Sequence, residues 1–186
     1  MTKRTFSDIL TDLLQVFENE ANNISNFTSS NSSFSSDVFD SPVIFHNDPP
    51  KNTKDPLYKS LYAKKGVYIF VISNSVTVSK DFNKVEYGAP LNNTSNLSFN
   101  QGDILYIGKA KSFLTRMHQH FSDADSFNKT GSLKLNSTPR KDLIGNITIY
   151  AFPLKSDYNK YYDVISPSVE SLLHEKLSPL VGTARI

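Results

Sequence analysis

Cysteine is absent from all 186 residues, which excludes a disulfide framework and any thiolate zinc site. The four histidines could still join a site of imidazole and carboxylate type. No apolar run is long enough to span a bilayer, and Met1-Thr2-Lys3-Arg4 leads into an amphipathic pattern rather than a signal peptide. An intracellular, cytoplasmic protein is therefore expected. Asn-x-Ser/Thr triplets such as Asn31-Ser32-Ser33 then reflect a composition rich in asparagine and serine, not glycosylation.

A large net charge is also lacking: the chain carries +2 overall, which by itself says little about partners. Its distribution says more. Residues 1–50 hold two basic side chains, Lys3 and Arg4, against seven acidic ones, a local balance of −5 that leaves +7 for the remainder. Such asymmetry suits a protein with one part facing a polyanion, although a solvated basic surface accounts for it equally. The length fits one compact domain.

Phe6, Ile9, Leu10, Leu13, Leu14 and Phe17 recur at helical spacing and predict an amphipathic helix of about three turns over residues 6–17. Its apolar face needs a partner, either the body of the domain or a second copy. Residues 22–40 are dominated by Asn and Ser and read as a mobile arm or linker. Phe27, Phe34 and Phe39 leave open an arm that packs down. Pro49, Pro50 and Pro56 lead to a short helix near Leu57–Tyr62. These elements make an N-terminal region, 1–64. The main domain, 65–186, starts with the β-branched and aromatic run 66–73, a strand buried on both faces.

A second strand is expected over 103–108 and a third over 147–152, with Ser112 capping a helix to about Phe121. Ser166-Pro167 marks the start of a last helix and Pro179 limits its end. The order is β-β-α-β-α, an α+β fold with a small three-stranded antiparallel sheet. An insertion, 74–102, separates the first two strands, and within it Val76–Val78 and Val85–Tyr87 suggest a hairpin.

Several polar side chains fall on these elements. Tyr68 and Tyr106 lie on strands expected to pair, although two packed aromatics would explain either one. Gly108 ends its strand, as glycine does where another backbone or a ligand approaches closely. Lys109 and Lys111 put positive charge at the strand-to-helix turn. Arg116 and His120 are four apart on one helix face, beside the stripe Phe113, Leu114, Met117 and Phe121. A solvated basic helix face would explain that pair. His118 lies off this face. Glu170 borders the stripe Val169, Leu172, Leu173 and Leu177, as a first-turn charge or as a hard oxygen ligand, whereas Glu175 points away.

Taken in order, Gly66-Val67-Tyr68, Tyr106-Ile107-Gly108, Arg116, His120 and Glu170 resemble the GIY-YIG nucleases over 66–182. The Arg116/His120 pair is similar to that of homing and restriction members. Two features depart from the family. The insertion is longer than usual, and Pro179-Leu180-Val181-Gly182-Thr183 puts glycine or threonine where the family often has asparagine.

The resemblance implies metal-assisted hydrolysis of a DNA phosphodiester, with Mg²⁺ (or Mn²⁺) held by Glu170. In that reading Tyr68 is the general base, aided by the metal or Lys109, and Tyr106 orients water or base. Arg116 clamps the phosphate, His120 holds a phosphate or relays a proton, and Lys109 and Lys111 contact DNA. Neither a zinc finger nor a helix-turn-helix is visible in the sequence. The expected protein is therefore a small stand-alone type II restriction endonuclease of prokaryotic or phage type, acting on double-stranded DNA as a homodimer. A repair or mobile-element nuclease, or a silent DNA-binding module of the same fold, are the alternatives.

Overall fold

The computed structural model describes residues 6–30, 33–86, 88–123 and 131–182. Strand β2 (Gly66–Ile72) is buried at every position, so layers must cover both of its faces. The elements around it are α1 (Phe6–Ser30), β1 (Val43–Phe45), α2 (Pro56–Leu61), β3 (Val76–Thr77), β4 (Ser98–Phe99), β5 (Ile104–Ala110), α3 (Phe113–His120), β6 (Ile147–Pro153) and α4 (Tyr162–Leu177). One antiparallel sheet runs β1-β6-β2-β5, and β3 and β4 pair separately. The protein is α+β, as expected.

Alternation along β2 sorts the core into two layers. Tyr68, Phe70 and Ile72 join Tyr106, Phe113, Met117 and Leu133 on one face. Val67, Ile69 and Val71 join Ile107 and Phe152, with Phe17 and Ile24 of α1 and Val169 and Leu173 of α4, on the other. The central pairing is in register, with Tyr68 opposite Gly108 and Ala151, and Phe70 opposite Tyr106.

The sheet has four strands rather than three. Val43–Phe45 pairs with Ala151–Ile149 at the far edge. Three residues with a half-exposed Ile44 carry too little alternation to be read as a strand. The N-terminal region also differs from a three-turn helix and mobile arm. Helix α1 spans 25 residues, and the arm packs down, the alternative left open by its phenylalanines. Ala21, Ile24, Val38 and Phe39 are buried, and Phe27 and Phe34 meet at 5.6 Å between ring centroids. Backbone bonds from Asp40 N to Pro153 O (2.7 Å) and Lys155 N to Val38 O (3.0 Å) extend the β6 edge. Buried apolar area outweighs the weak helix propensity of Asn and Ser here. In contrast, residues 7–16 of α1 are exposed throughout, and Ile9, Leu10, Leu13, Leu14 and Val16 stay 41–53% exposed.

Helix α4 starts at Tyr162, a turn before the Ser166-Pro167 signal. Pro167 forfeits one backbone hydrogen bond, while burial of Tyr162 and Ile165 favours the earlier start. Glu170 therefore sits about two turns inside the helix and not in its first turn, so the helix-terminus argument for its charge does not hold. In the insertion, the strand that pairs with β3 is Ser98–Phe99, where the hairpin was expected to use 85–87; Tyr87 lies outside the described residues. Phe82–Lys84 is instead a 3₁₀ turn, with Phe82 buried beneath the Arg140 guanidinium, 4.1 Å from the ring centroid. Arg140, fully buried, donates to Phe82 O, Leu133 O and Ala89 O. That links the insertion to the segment behind α3.

Candidate active site

Ser112 caps α3, accepting from Thr115 N at 3.4 Å, and the apolar stripe Phe113, Leu114 and Met117 seats the helix on the sheet. Arg116 and His120 then face β2 and β5. Arg116 Nε donates to Tyr68 Oη at 3.0 Å, and its Nη2 donates to Tyr106 Oη at 3.3 Å. Another nitrogen of the fork, Nη1, donates to Gln119 Oε1 at 3.0 Å. The two phenol rings stack with centroids 6.1 Å apart and planes 17° apart. Tyr106 Oη donates onward to Gly131 O at 3.3 Å. With His120 Nε2 at 2.9 Å from Tyr68 Oη, four expected site residues form one hydrogen-bonded cluster.

His120 is fully buried. Its Nδ1 accepts from Leu133 N at 2.9 Å, so in the neutral ring the proton is on Nε2, which lies 2.9 Å from Tyr68 Oη and donates to it. Burial lowers its pKa well below the ordinary value, and the charges of Arg116 and Lys134 add to the drop. A protonated ring would also set an N–H against the Leu133 N–H. The geometry therefore gives His120 the task of orienting Tyr68, and leaves it no surface on which to hold a phosphate.

Tyr68 Oη receives two N–H donors. Burial raises its pKa well above the ordinary range and the neighbouring Tyr106 adds to the rise, while Arg116 opposes it. Gly108 is obligatory here: a Cβ would stand 2.6 Å from Tyr68 Cζ, nearer still to Oη, and 2.9 Å from Tyr106 Cε1. The glycine that ends Tyr106-Ile107-Gly108 is the floor under the Tyr68 hydroxyl.

Lys109 and Glu170 are brought together on the opposite face of the same edge strand, because Lys109 alternates with Gly108. They form an ion pair through Glu170 Oε2. Lys109 is thus engaged with Glu170 rather than with Tyr68. The Glu170 carboxylate still acts electrostatically on Tyr68 around the sheet edge. Lys111 is exposed, pairs with Asp163 at 2.9 Å and lies 5.7 Å from the centroid of the Tyr162 ring. His118, as expected, is off the site and sits 3.7 Å from Asp48.

Two residues near Glu170 escaped sequence reading. Tyr162 is buried; burial, with Glu170 and Asp163, raises its pKa to about 12, and Arg116 opposes the rise. His174, one turn beyond Glu170, donates from Nε2 to Ile107 O at 3.3 Å. Burial lowers its pKa, and Lys109 contributes in the same direction. Tyr162 carried no signal, since it precedes the expected helix. His174 could have been found from its i+4 spacing to Glu170.

Among the described residues, no three His, Cys, Asp or Glu side chains gather as a metal cage. Glu170 Oε1 has no hydrogen-bond partner among them either. A lone carboxylate with one uncommitted oxygen fits an ion such as Mg²⁺, which takes its other ligands from phosphate and water. Thr183 lies outside the described residues. At Gly182, one of the two positions at which the resemblance would put asparagine, the turn is held by an amide from elsewhere: Asn92 Nδ2 donates to Pro179 O at 2.7 Å and to Gly182 O at 2.8 Å. No family model, curated protein or solved structure matches the chain.

Proposed function

We propose that the protein is a GIY-YIG-type DNA endonuclease, in the manner of a small type II restriction enzyme. The observation that carries this is the shared guanidinium of Arg116, held by the Tyr68 and Tyr106 oxygens on one face of edge strand β5, whose other face meets Glu170 of α4 through Lys109. Arg116 is the phosphate-contacting group, because its planar fork stays charged and can present two parallel N–H bonds to phosphate oxygens. Tyr68 accepts the proton of the attacking water; a phenolate there keeps the His120 and Arg116 N–H donors. Burial opposes that charge and the Arg116 guanidinium favours it, so Arg116 keeps its bond to Tyr68 Oη through the proton transfer. Tyr106 holds the far side of the fork. Lys109 is the counter-charge of Glu170 through Oε2, which leaves Oε1 as the oxygen that would meet a cation.

Glu170 would hold the divalent metal, which when bound polarises the phosphate and supports the leaving oxygen. Double-stranded DNA is the substrate, and the projecting apolar residues of α1 give a second copy a surface to meet, consistent with a two-fold enzyme on two-fold DNA. Plasmid DNA incubated with the protein and Mg²⁺, beside an EDTA control and Glu170→Gln, tests the reading. Discrete fragments are expected from the parent alone, with DNA binding retained in Glu170→Gln. Cleavage that persists in Glu170→Gln at ordinary Mg²⁺ would remove Glu170 from the metal site.

A further inference from the structure

Beyond α4 the chain is held on two sides. Ser178 turns it through a left-handed conformation, φ 45°. Leu180 N then donates to Ile104 O and Val181 N to Leu105 O, each at 2.9 Å, which lays the segment beside β5. The insertion grips its other side: Leu91 bridges Val181, Gly182 N donates to Pro90 O at 2.9 Å, and Asn92 N donates to Leu180 O at 2.8 Å. The Asn92 amide completes the grip with both of its hydrogens, on Pro179 O and Gly182 O. An NH₂ group has the two hydrogens needed to join two carbonyl oxygens, whereas a carboxylate would repel both.

The gripped turn presses on the site. A Cβ at Gly182 would stand 3.0 Å from Tyr106 Cε2, so the turn backbone is a wall against the Tyr106 ring. The hydroxyl of that ring is one of the oxygens that fix Arg116. The insertion itself is anchored, with Leu91 N donating to Asn83 Oδ1 at 2.8 Å and Ala89 O accepting from the buried Arg140. We propose that Asn92 is a positioning residue: it locks residues 179–182 against Tyr106 and so sets where Arg116 presents its fork. It touches neither the guanidinium nor the phosphate. Its effect on cleavage rests on the nuclease reading; its effect on Tyr106 does not.

The experiment compares Asn92→Ala, Asn92→Asp and Asn92→Gln with the parent by NMR of ¹³C-labelled tyrosine rings. Tyr106→Phe identifies the Tyr106 signal. DNA cleavage is followed in parallel. Asn92→Ala and Asn92→Asp are expected to shift the Tyr106 signal. They should lower kcat about tenfold, short of the ~10²-fold that a 1 Å misplacement brings, with little change in KM. Asn92→Gln, which keeps the NH₂ donors, recovers part of both. In a Tyr106→Phe background, Asn92→Ala should cost little more, since the residue it acts through is already disabled. A Tyr106 signal unmoved in both disruptive variants overturns the proposal, as does an equal kcat loss with and without the Tyr106 hydroxyl. If the parent cleaves no DNA, the nuclease reading fails separately, and the ring signal alone decides the role of Asn92.

Discussion

Gly108→Ala adds a single methyl group at the most crowded point of the site. Its Cβ would lie 2.6 Å from Tyr68 Cζ and 2.9 Å from Tyr106 Cε1, against the ~3.5–4 Å that carbon atoms prefer. Tyr68 is fully buried and boxed in by Phe70, Tyr106, Phe113 and His120, so its tip cannot swing away. The backbone is no freer, because Gly108 pairs with Tyr68 in the middle of the β2–β5 ladder. Overpacking of this kind costs about 1–3 kcal/mol. Displacing Oη also leaves the buried His120 N–H without its acceptor, for about 1–3 kcal/mol more. The expected loss is about 3 kcal/mol, a large share of the ~5–15 kcal/mol that holds a domain together. Cleavage should fall ~10²-fold through misplacement of Arg116. Urea unfolding gives the first number and a plasmid assay the second. A double-mutant cycle isolates the cause: Tyr68→Phe removes the nearest clashing atom, so it should cost about 1 kcal/mol or more less in the Gly108→Ala background than in the parent. Unfolding energies of Gly108→Ala within about 0.5 kcal/mol of the parent, the range of an ordinary surface change, would refute the reasoning.

Arg116→Ala should lose more cleavage than binding, by ~10²–10³ in rate, and Arg116→Lys should recover only part because an ammonium lacks the fork; full activity of the lysine variant in the same assay would show that charge alone suffices. His120 is held neutral with its folded pKa well below 6.5, so the unfolded chain takes up the proton first as pH falls. Its contribution to stability is present above about pH 6.5 and is lost below it by up to ~1.4 kcal/mol per pH unit, with His174 contributing in the same direction. Urea midpoints at pH 7.5 and 5.5 should therefore differ less in His120→Gln than in the parent. Deletion of 1–16 removes only the projecting part of α1, and light scattering should show a lower mass than the full chain; an unchanged mass excludes α1 as a dimer contact. Deletion of 1–45, by contrast, would also strip β1 and the buried Ala21, Ile24, Val38 and Phe39, and insoluble protein is expected.

The sequence by itself determined the strands and helices that carry strong local patterns. The apolar run from Gly66, the Ser112 cap and the alternation over 147–152 each specify one backbone state with little help from the rest of the chain. It also determined which side chains share a face, since Arg116 and His120 are one helical turn apart and Tyr106 and Gly108 two strand residues apart. What those side chains do there was decided only by tertiary structure. Burial is a property of the whole layer, and it turned His120 from a phosphate ligand into a neutral donor to Tyr68. Strand alternation put Lys109 on the face of α4, so it meets Glu170 and not the phenols. Weak local preferences were overridden in the same way: the Asn/Ser segment after Phe17 became helix because Ala21 and Ile24 found cover, and Pro167 was absorbed because Tyr162 and Ile165 did. The Asn92 grip on Pro179 and Gly182 joins residues far apart in the chain, and no local pattern encodes a contact that exists only once the chain has closed on itself.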